Sequence, residues 1–212
     1  MRSVNKISVC FLTNAYPDRP SSYRGIFIKR MATLLNEQGY QVTVVTPKIY
    51  PDSPCTEEKD GIRIYRFPFL AGGKLLIEYG KVPYGRMILY YLSGLLFTLY
   101  AIGKNRCRLI HAHWAIPTGL LGAIAGQLLR KPLVVTVHGS DLRMASGGSH
   151  LLRNLFVYVC KKARQVTCVS ESMRKEMEAM EAVKGEISMF PMGVAEVFFR
   201  TRRHPEDLAS SR

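Results

Sequence analysis

Acidic residues are scarce in this chain: 16 Asp and Glu stand against 30 Lys and Arg, a formal net charge of +14 over 212 residues. A surplus of that size on a domain-sized chain calls for an anionic partner, whether phosphate, nucleotide, nucleic acid or an acidic lipid surface. The shortage also counts against metal-dependent hydrolysis, because metal-bound imidazoles are usually oriented by neighbouring carboxylates. Paired cysteines are lacking too. Cys10, Cys55, Cys107, Cys160 and Cys168 are odd in number, widely spaced and free of any CxxC, which argues against a disulfide scaffold and for a reducing, cytoplasmic setting. Residues 1–6 pass at once into the apolar run 7–13, without the length or small-residue cleavage site of a secretory signal, so export is not expected. There is no GxGxxG and no P-loop, hence no free-standing dinucleotide or triphosphate site of the usual kind. The 17 Gly and 11 Pro are dispersed, which sets aside collagen, solenoid and linker architectures. Nucleic acid is not the expected partner either. No RRM, KH, helix-turn-helix or zinc-finger pattern occurs, and the aromatics lie mostly in apolar segments away from the basic clusters.

Long hydrophobic runs are nearly absent. Residues 87–102, MILYYLSGLLFTLYAI, come closest, about 16 residues flanked by Arg86 and Lys104, just short of the roughly 18–20 that a spanning helix needs. Two readings stay open for this segment: a helix buried against a sheet, or one that touches a bilayer interface. A peripheral position on the inner face of the plasma membrane follows from the second.

What is present is a rhythm. The apolar run 7–13 is ended by the proline-bearing segment 14–22; then Ile28, Met31, Leu34 and Leu35 recur at helical spacing until Gly39, and a second strand spans 41–46. A strand, helix and strand in about 40 residues is the size of a βαβ crossover. The pattern returns with a strand at 109–114, a helix at 117–129 opened by Pro117, a buried strand at 133–137, a helix near 149–162, a strand at 165–169, a helix from 170 to about 181 and a short strand at 186–190. Residues 62–68 are predicted as an edge strand preceded by the turn-like 57–61. This alternation predicts an α/β, Rossmann-like, doubly wound and mainly parallel sheet.

Ligands of such sheets sit beyond the carboxyl ends of the strands, so the residues there are the candidates. Arg24 and Gly25 stand at the mouth of the first helix, where backbone N–H groups and the helix dipole suit a phosphate. His111, Ala112, His113 and Trp114 close one strand, with the two histidines on the same face, and His138, Gly139, Ser140 and Asp141 follow its neighbour. Three imidazoles near one edge fit a zinc hydrolase using His111, His113 and His138, a set of hydrogen-bonded structural histidines, or sugar recognition and transfer. The basic groups at Arg19, Arg24, Lys29 and Arg30, at Lys104, Arg106 and Arg108, at Arg130 and Lys131, and at Lys161, Lys162 and Arg164 read either as anion sites or as cations opposing helix dipoles.

Taken in order, FLTNAYPDRPSSYRGIFIKRMATLLNEQGYQVTVVTP (11–47), LIHAHWAIPTGLLGAIAGQLLRKPLVVTVHGSDL (109–142), VTCVSESMRKEM (166–177) and MFPMGVAEVFF (189–199) resemble the family-4 glycosyltransferases, retaining enzymes of the GT-B fold. The resemblance implies residues 1–190 as the N-terminal, acceptor-side domain and 191–212 as the crossing segment with a basic tail. It implies a metal-independent reaction with a nucleotide-sugar as donor and a glycan or lipid-linked acceptor in polysaccharide or glycolipid synthesis. It assigns His138 to the donor sugar near its reacting centre, Arg24 and Gly25 to the approach of the donor phosphates, and His113, Trp114, Gly139 and Asp141 to the acceptor side. Two departures stand out. A lone Gly25 follows Arg24 where many relatives have paired glycines, and Pro191, Met192, Gly193, Val194 and Ala195 replace the usual Pro-Asn-Gly-Val-Asp. The family's ExxxxxxxE-type motif belongs to a second domain, so the expected partner is a C-terminal donor-binding domain or a separate chain, without which the 212 residues are expected to be inactive. A non-catalytic subunit that recruits a catalytic chain is the alternative.

Overall fold

The computed structural model describes residues 7–19, 22–74, 84–147 and 149–193; the rest of the crossing segment and the basic tail lie outside the described residues. The first half of the domain contains β1 (Ser8–Leu12), α1 (Ile26–Glu37), β2 (Gln41–Pro47), the hairpin of β3 (Thr56–Lys59) and β4 (Ile62–Phe67), and the long helix α2 (Tyr84–Lys104). The second half runs through β5 (Leu109–His113), α3 (Leu120–Leu129), β6 (Leu133–Val137), α4 (Ser140–Ser146), α5 (His150–Lys162), β7 (Gln165–Cys168), α6 (Glu171–Ala179) and β8 (Ile187–Met189). All strands join one sheet of order β3-β4-β2-β1-β5-β6-β7-β8. Only β3 is antiparallel to its neighbour.

The central strand β1, SVCFL, is buried at every position because both sheet faces are covered there. One face carries α1, whose Ile28 and Ala32 pack on Val9, Phe11, Val42, Val44, Ile62 and Ile64. The other face carries the main core, with Tyr90 of α2, Leu121 of α3, Phe156 of α5 and Met177 of α6. Serines start the last two long helices: Ser149 and Ser170 accept hydrogen bonds from the N–H groups of Leu152 and Met173.

Several sequence expectations are corrected. The edge strand is β3, not the 62–68 segment; β4 sits inside, between β3 and β2. The acidic stretch read as a turn becomes β3 because Glu57 reaches Arg66 of β4, whose fully buried guanidinium donates to it at 2.7 Å and to the Pro17 carbonyl at 3.3 Å. A buried cation of that kind requires a charged partner. Pro117 does not open α3. It lies in a π-type turn, Ala115–Gly119, with Ile116 in an extended conformation, and the helix proper begins at Leu120. The seven-residue α4 follows Gly139, where the sequence reading placed no helix.

The sheet order reverses direction between β1 and β5. That is the topological switch point, where a doubly wound sheet opens a crevice at its carboxyl edge.

Candidate active site

Four backbone segments meet at this crevice: the loop from β1 to α1, the π turn after β5, the turn from β6 to α4, and the first turn of α1. Each is fixed by a local constraint. Gly25 caps α1 with φ 68°, and a Cβ there would lie 2.1 Å from the Ala15 carbonyl oxygen, so only glycine lets the two ends of the loop close. Trp114 sits at φ 70° and ψ 125°, an uncommon conformation for a bulky residue, held by its N–H donating to Thr136 O at 2.9 Å. Gly139 adopts φ 100° and releases the chain from β6 into α4.

Asp141 joins two of these segments. Its Oδ2 accepts the Ala115 N–H at 2.7 Å, and its Oδ1 accepts the N–H groups of His138 and Gly139 at 3.2 and 3.1 Å. The residue is 1% exposed. Where the sequence reading set Asp141 on the acceptor side, its carboxylate is turned inward and ties the π turn to the turn after β6. Burial raises its pKa while the backbone N–H bonds pull it down.

The histidines form a stack. His111 and His113 have ring centroids 4.4 Å apart, and Phe11 meets both edge-on. His113 Nδ1 lies 3.2 Å from His138 Nε2, and the His138 ring rests on Trp114 and Phe27 at 4.7 and 5.2 Å. His113 is fully buried and its Nε2 has no partner. An orphaned bare acceptor costs less than an orphaned N–H, which puts the shared proton on His113 Nδ1 and leaves His138 to carry its own proton on Nδ1. His111 Nε2 pairs with Thr136 Oγ1 at 2.7 Å, and that hydroxyl pairs with Thr167 Oγ1 at 2.7 Å. Burial lowers all three pKa values: His111 and His138 to about 4, the latter also through His111, and His113 well below the usual range. The rings are neutral at neutral pH.

Neutral imidazoles bonded to one another and to threonine do not form a metal cradle, and no group of three or more His, Cys, Asp or Glu among the described residues could hold a metal ion. The hydrolase reading loses its geometric basis. A neutral, fixed imidazole can instead hydrogen-bond a hydroxyl group without ordering water or charge.

His138 and His111 line a cleft of about 550 Å³ between the sheet and α1, with Phe27, Met31 and Leu34 on one wall and Phe190 to Gly193 on the rim. Thr136 and Thr167 on its floor and Phe27 on its wall were not foreseen. The two threonines do share a register between β6 and β7, a pairing invisible until the strand order is known. Of the expected residues, the structure brings Trp114, His138, Gly139 and the mouth of α1 together. His113 lies beneath them with no exposed surface, where its Nδ1 meets the His138 ring. Arg24 donates to the Tyr50 hydroxyl and to Gly73 O, both at 3.2 Å, across the loop beside Gly25.

A mostly parallel eight-stranded sheet of this order matches one half of GT-B glycosyltransferase structures. Residues 25–193 match the family described as Glycosyl transferase 4-like domain, and the chain belongs to it. It is 25% identical over 206 residues to TuaC of Bacillus subtilis strain 168, named for glycosyl transfer in teichuronic acid biosynthesis, with 89% of this chain and 50% of that protein aligned. An uncharacterized glycosyltransferase of Methanocaldococcus jannaschii is 33% identical over 88 residues, 39% of this chain and 25% of that one. Among solved structures, sucrose-phosphate synthase of Thermosynechococcus elongatus superposes with a TM-score of 0.63 at 18% identity, covering 89% of this chain and 49% of the enzyme. HepE of Anabaena, solved with UDP-glucose, gives 0.60 at 15%, covering 96% and 48%. These likenesses establish the fold. The chain spans half the length of one curated relative and a quarter of the other.

Proposed function

We propose that this chain is the acceptor-side half of a retaining glycosyltransferase that moves a sugar from a nucleotide-sugar to a glycan or lipid-linked acceptor in cell-surface polysaccharide or glycolipid synthesis. The observation that carries the reading is the neutral His138 ring, fixed by His113, Trp114 and Phe27 at the mouth of the cleft in a chain of this family. In the complete enzyme the bond from the anomeric carbon to the leaving diphosphate breaks, the acceptor oxygen bonds to that carbon on the same face, and the acceptor proton passes to the leaving phosphate. His138 hydrogen-bonds the donor sugar and stabilises the charge that develops at its ring. Gly25, at the N-terminus of α1, faces the donor phosphates, and Trp114 and Gly139 face the acceptor. The reaction needs no metal or cofactor. The five free cysteines, four of them buried, support a reducing compartment on the cytoplasmic side.

The donor-binding half is supplied by a further domain or by a partner chain. The test is a transfer assay with the 212-residue chain alone and joined to a family-4 donor-binding half, using UDP-sugars and a teichuronic-type acceptor. Turnover should require both halves. Turnover by these residues alone, or none from the joined protein with any nucleotide-sugar, contradicts the proposal.

A further inference from the structure

Helix α2 carries an apolar stripe that nothing in the described structure covers. Ile88, Leu92, Leu96 and Tyr100 recur every fourth residue and are 64, 61, 67 and 54% exposed. Four large apolar side chains in one row on a helix form a patch of the kind soluble surfaces seldom leave bare. The opposite side of the helix is committed to the core. Tyr90 packs edge-on against Phe67 and Phe69, Ser93 donates to the Pro68 carbonyl at 2.5 Å, and Gly94 lies against Phe67 and Leu121. The window 85–104 is apolar and long enough to cross a membrane by length and composition. Its packing on β4 and α3 holds it flat against the sheet instead.

Three connections beside it carry charge of one sign. Helices α2, α3 and α5 each lead into a parallel strand, so their C-terminal connections gather at a single sheet edge. The edge bonds show the alignment: Arg108 N donates to Ser8 O, Ile110 N to Pro132 O and Arg164 N to Leu133 O. Those three connections carry Lys104, Arg106 and Arg108, then Arg130 and Lys131, then Lys161, Lys162 and Arg164, with no acidic residue among 103–108, 130–132 or 161–164. At the junction of stripe and edge, Lys104 donates to the Tyr100 hydroxyl at 2.9 Å, a tyrosine and lysine pairing suited to a headgroup region.

We infer that the α2 stripe and the basic sheet edge together form a docking surface for an anionic lipid bilayer, with α2 lying in the interface plane. An apolar row inserted into the acyl boundary beside cations at the headgroups is the arrangement that interfacial helices use. A second copy of the chain fits less well, because it carries the same net charge of +14 and is repelled where an anionic bilayer is attracted. The surface is on the sheet face opposite α1 and the His138 cleft, so it goes beyond the proposed reaction. A transfer assay in solution can fail while vesicle binding holds, and the reverse.

The test is flotation of the full chain with phosphatidylcholine vesicles, with and without phosphatidylglycerol. Wild type should partition onto the anionic vesicles at least about tenfold better than onto neutral ones, and raised salt should weaken it. The I88S/L92S/L96S variant should lose about tenfold of that partition, and R106S/R108S about fivefold per charge removed, both with unchanged circular dichroism. Should the triple variant melt early, Leu96→Ser alone carries the test, with a loss of at least about threefold. The tail is common to every variant, so these ratios report the α2 surface. Equal partition onto both vesicle types, or wild-type binding by the stripe variants, overturns the inference. So does a stripe variant that splits a dimer while vesicle binding stays the same.

Discussion

The two edges of the sheet are built from opposite materials. At the carboxyl edge, three neutral imidazoles, a tryptophan at positive φ and a buried carboxylate are locked by hydrogen bonds within a few ångströms of one another. At the amino edge, the connections after α2, α3 and α5 carry eight Lys and Arg and no Asp or Glu. A parallel sheet forces this division, since every helix returns the chain to the same edge and every strand delivers it to the other. The desolvated polar groups are therefore concentrated where fixed geometry is useful, while those amino-edge connections tolerate charge because their Lys and Arg side chains are largely exposed.

Substitutions of the buried anchoring groups at the carboxyl edge should therefore cost stability, whereas those of exposed amino-edge residues should not. Asp141→Ala should have the largest effect, on the order of 4 kcal/mol, because it leaves the N–H groups of Ala115, His138 and Gly139 without their acceptor; urea denaturation measures it. Gly25→Ala should follow at about 3 kcal/mol, from the overlap with Ala15 O and the left-handed backbone. A Gly25→Ala chain as stable as wild type would show that the loop is looser than described.

Acidity should separate the edges too. His111 and His138 have folded pKa values near 4, below the unfolded value of about 6.5. Between those values the unfolded chain binds more protons than the folded one, so stability falls as pH drops from about 6.5 towards 4, by about 2.5 kcal/mol for each ring. Asp141, whose pKa is raised by burial, takes up its proton earlier in the folded state and offsets part of that loss at the acid end. The melting temperature followed across that window, with His111→Ala flattening the profile, checks the assignment. His111→Ala itself should cost about 1–3 kcal/mol through the lost Thr136 bond and the gap beside Phe11. The smallest effect belongs to the far side: Leu92→Ser on α2 should change stability by no more than about 0.5 kcal/mol.

The sequence shows the strands and the long helices clearly, because apolar runs at 7–13, 41–46 and 133–137 and the helical spacing from Ile28 to Leu35 come directly from burial. It hides the elements that tertiary contacts create. The polar TEEK of β3 exists as strand because Arg66 needs Glu57. Helix α4 is short and enters through a glycine at φ 100°, and the π turn depends on the N–H of Ala115 finding Asp141. The same limit applies at the site. Position after a strand was enough to make His138 and Gly25 candidates. It could not show which way a polar side chain turns, so His113 and Asp141 read as ligand contacts although both are buried, and Thr136 and Thr167 passed as ordinary strand residues.

The central claim is that the carboxyl edge is a reaction site and that His138 works there while His111 only supports it. The direct measurement pairs initial rates with melting temperatures for His138→Ala and His111→Ala in the chain joined to its donor-binding half. The account predicts that His138→Ala loses more than about tenfold in turnover, about 1.4 kcal/mol of transition-state stabilisation, with little change in melting temperature. It predicts that His111→Ala loses activity only in step with folded protein. A His138→Ala enzyme that keeps the wild-type rate, or slows only as far as it unfolds, would contradict it.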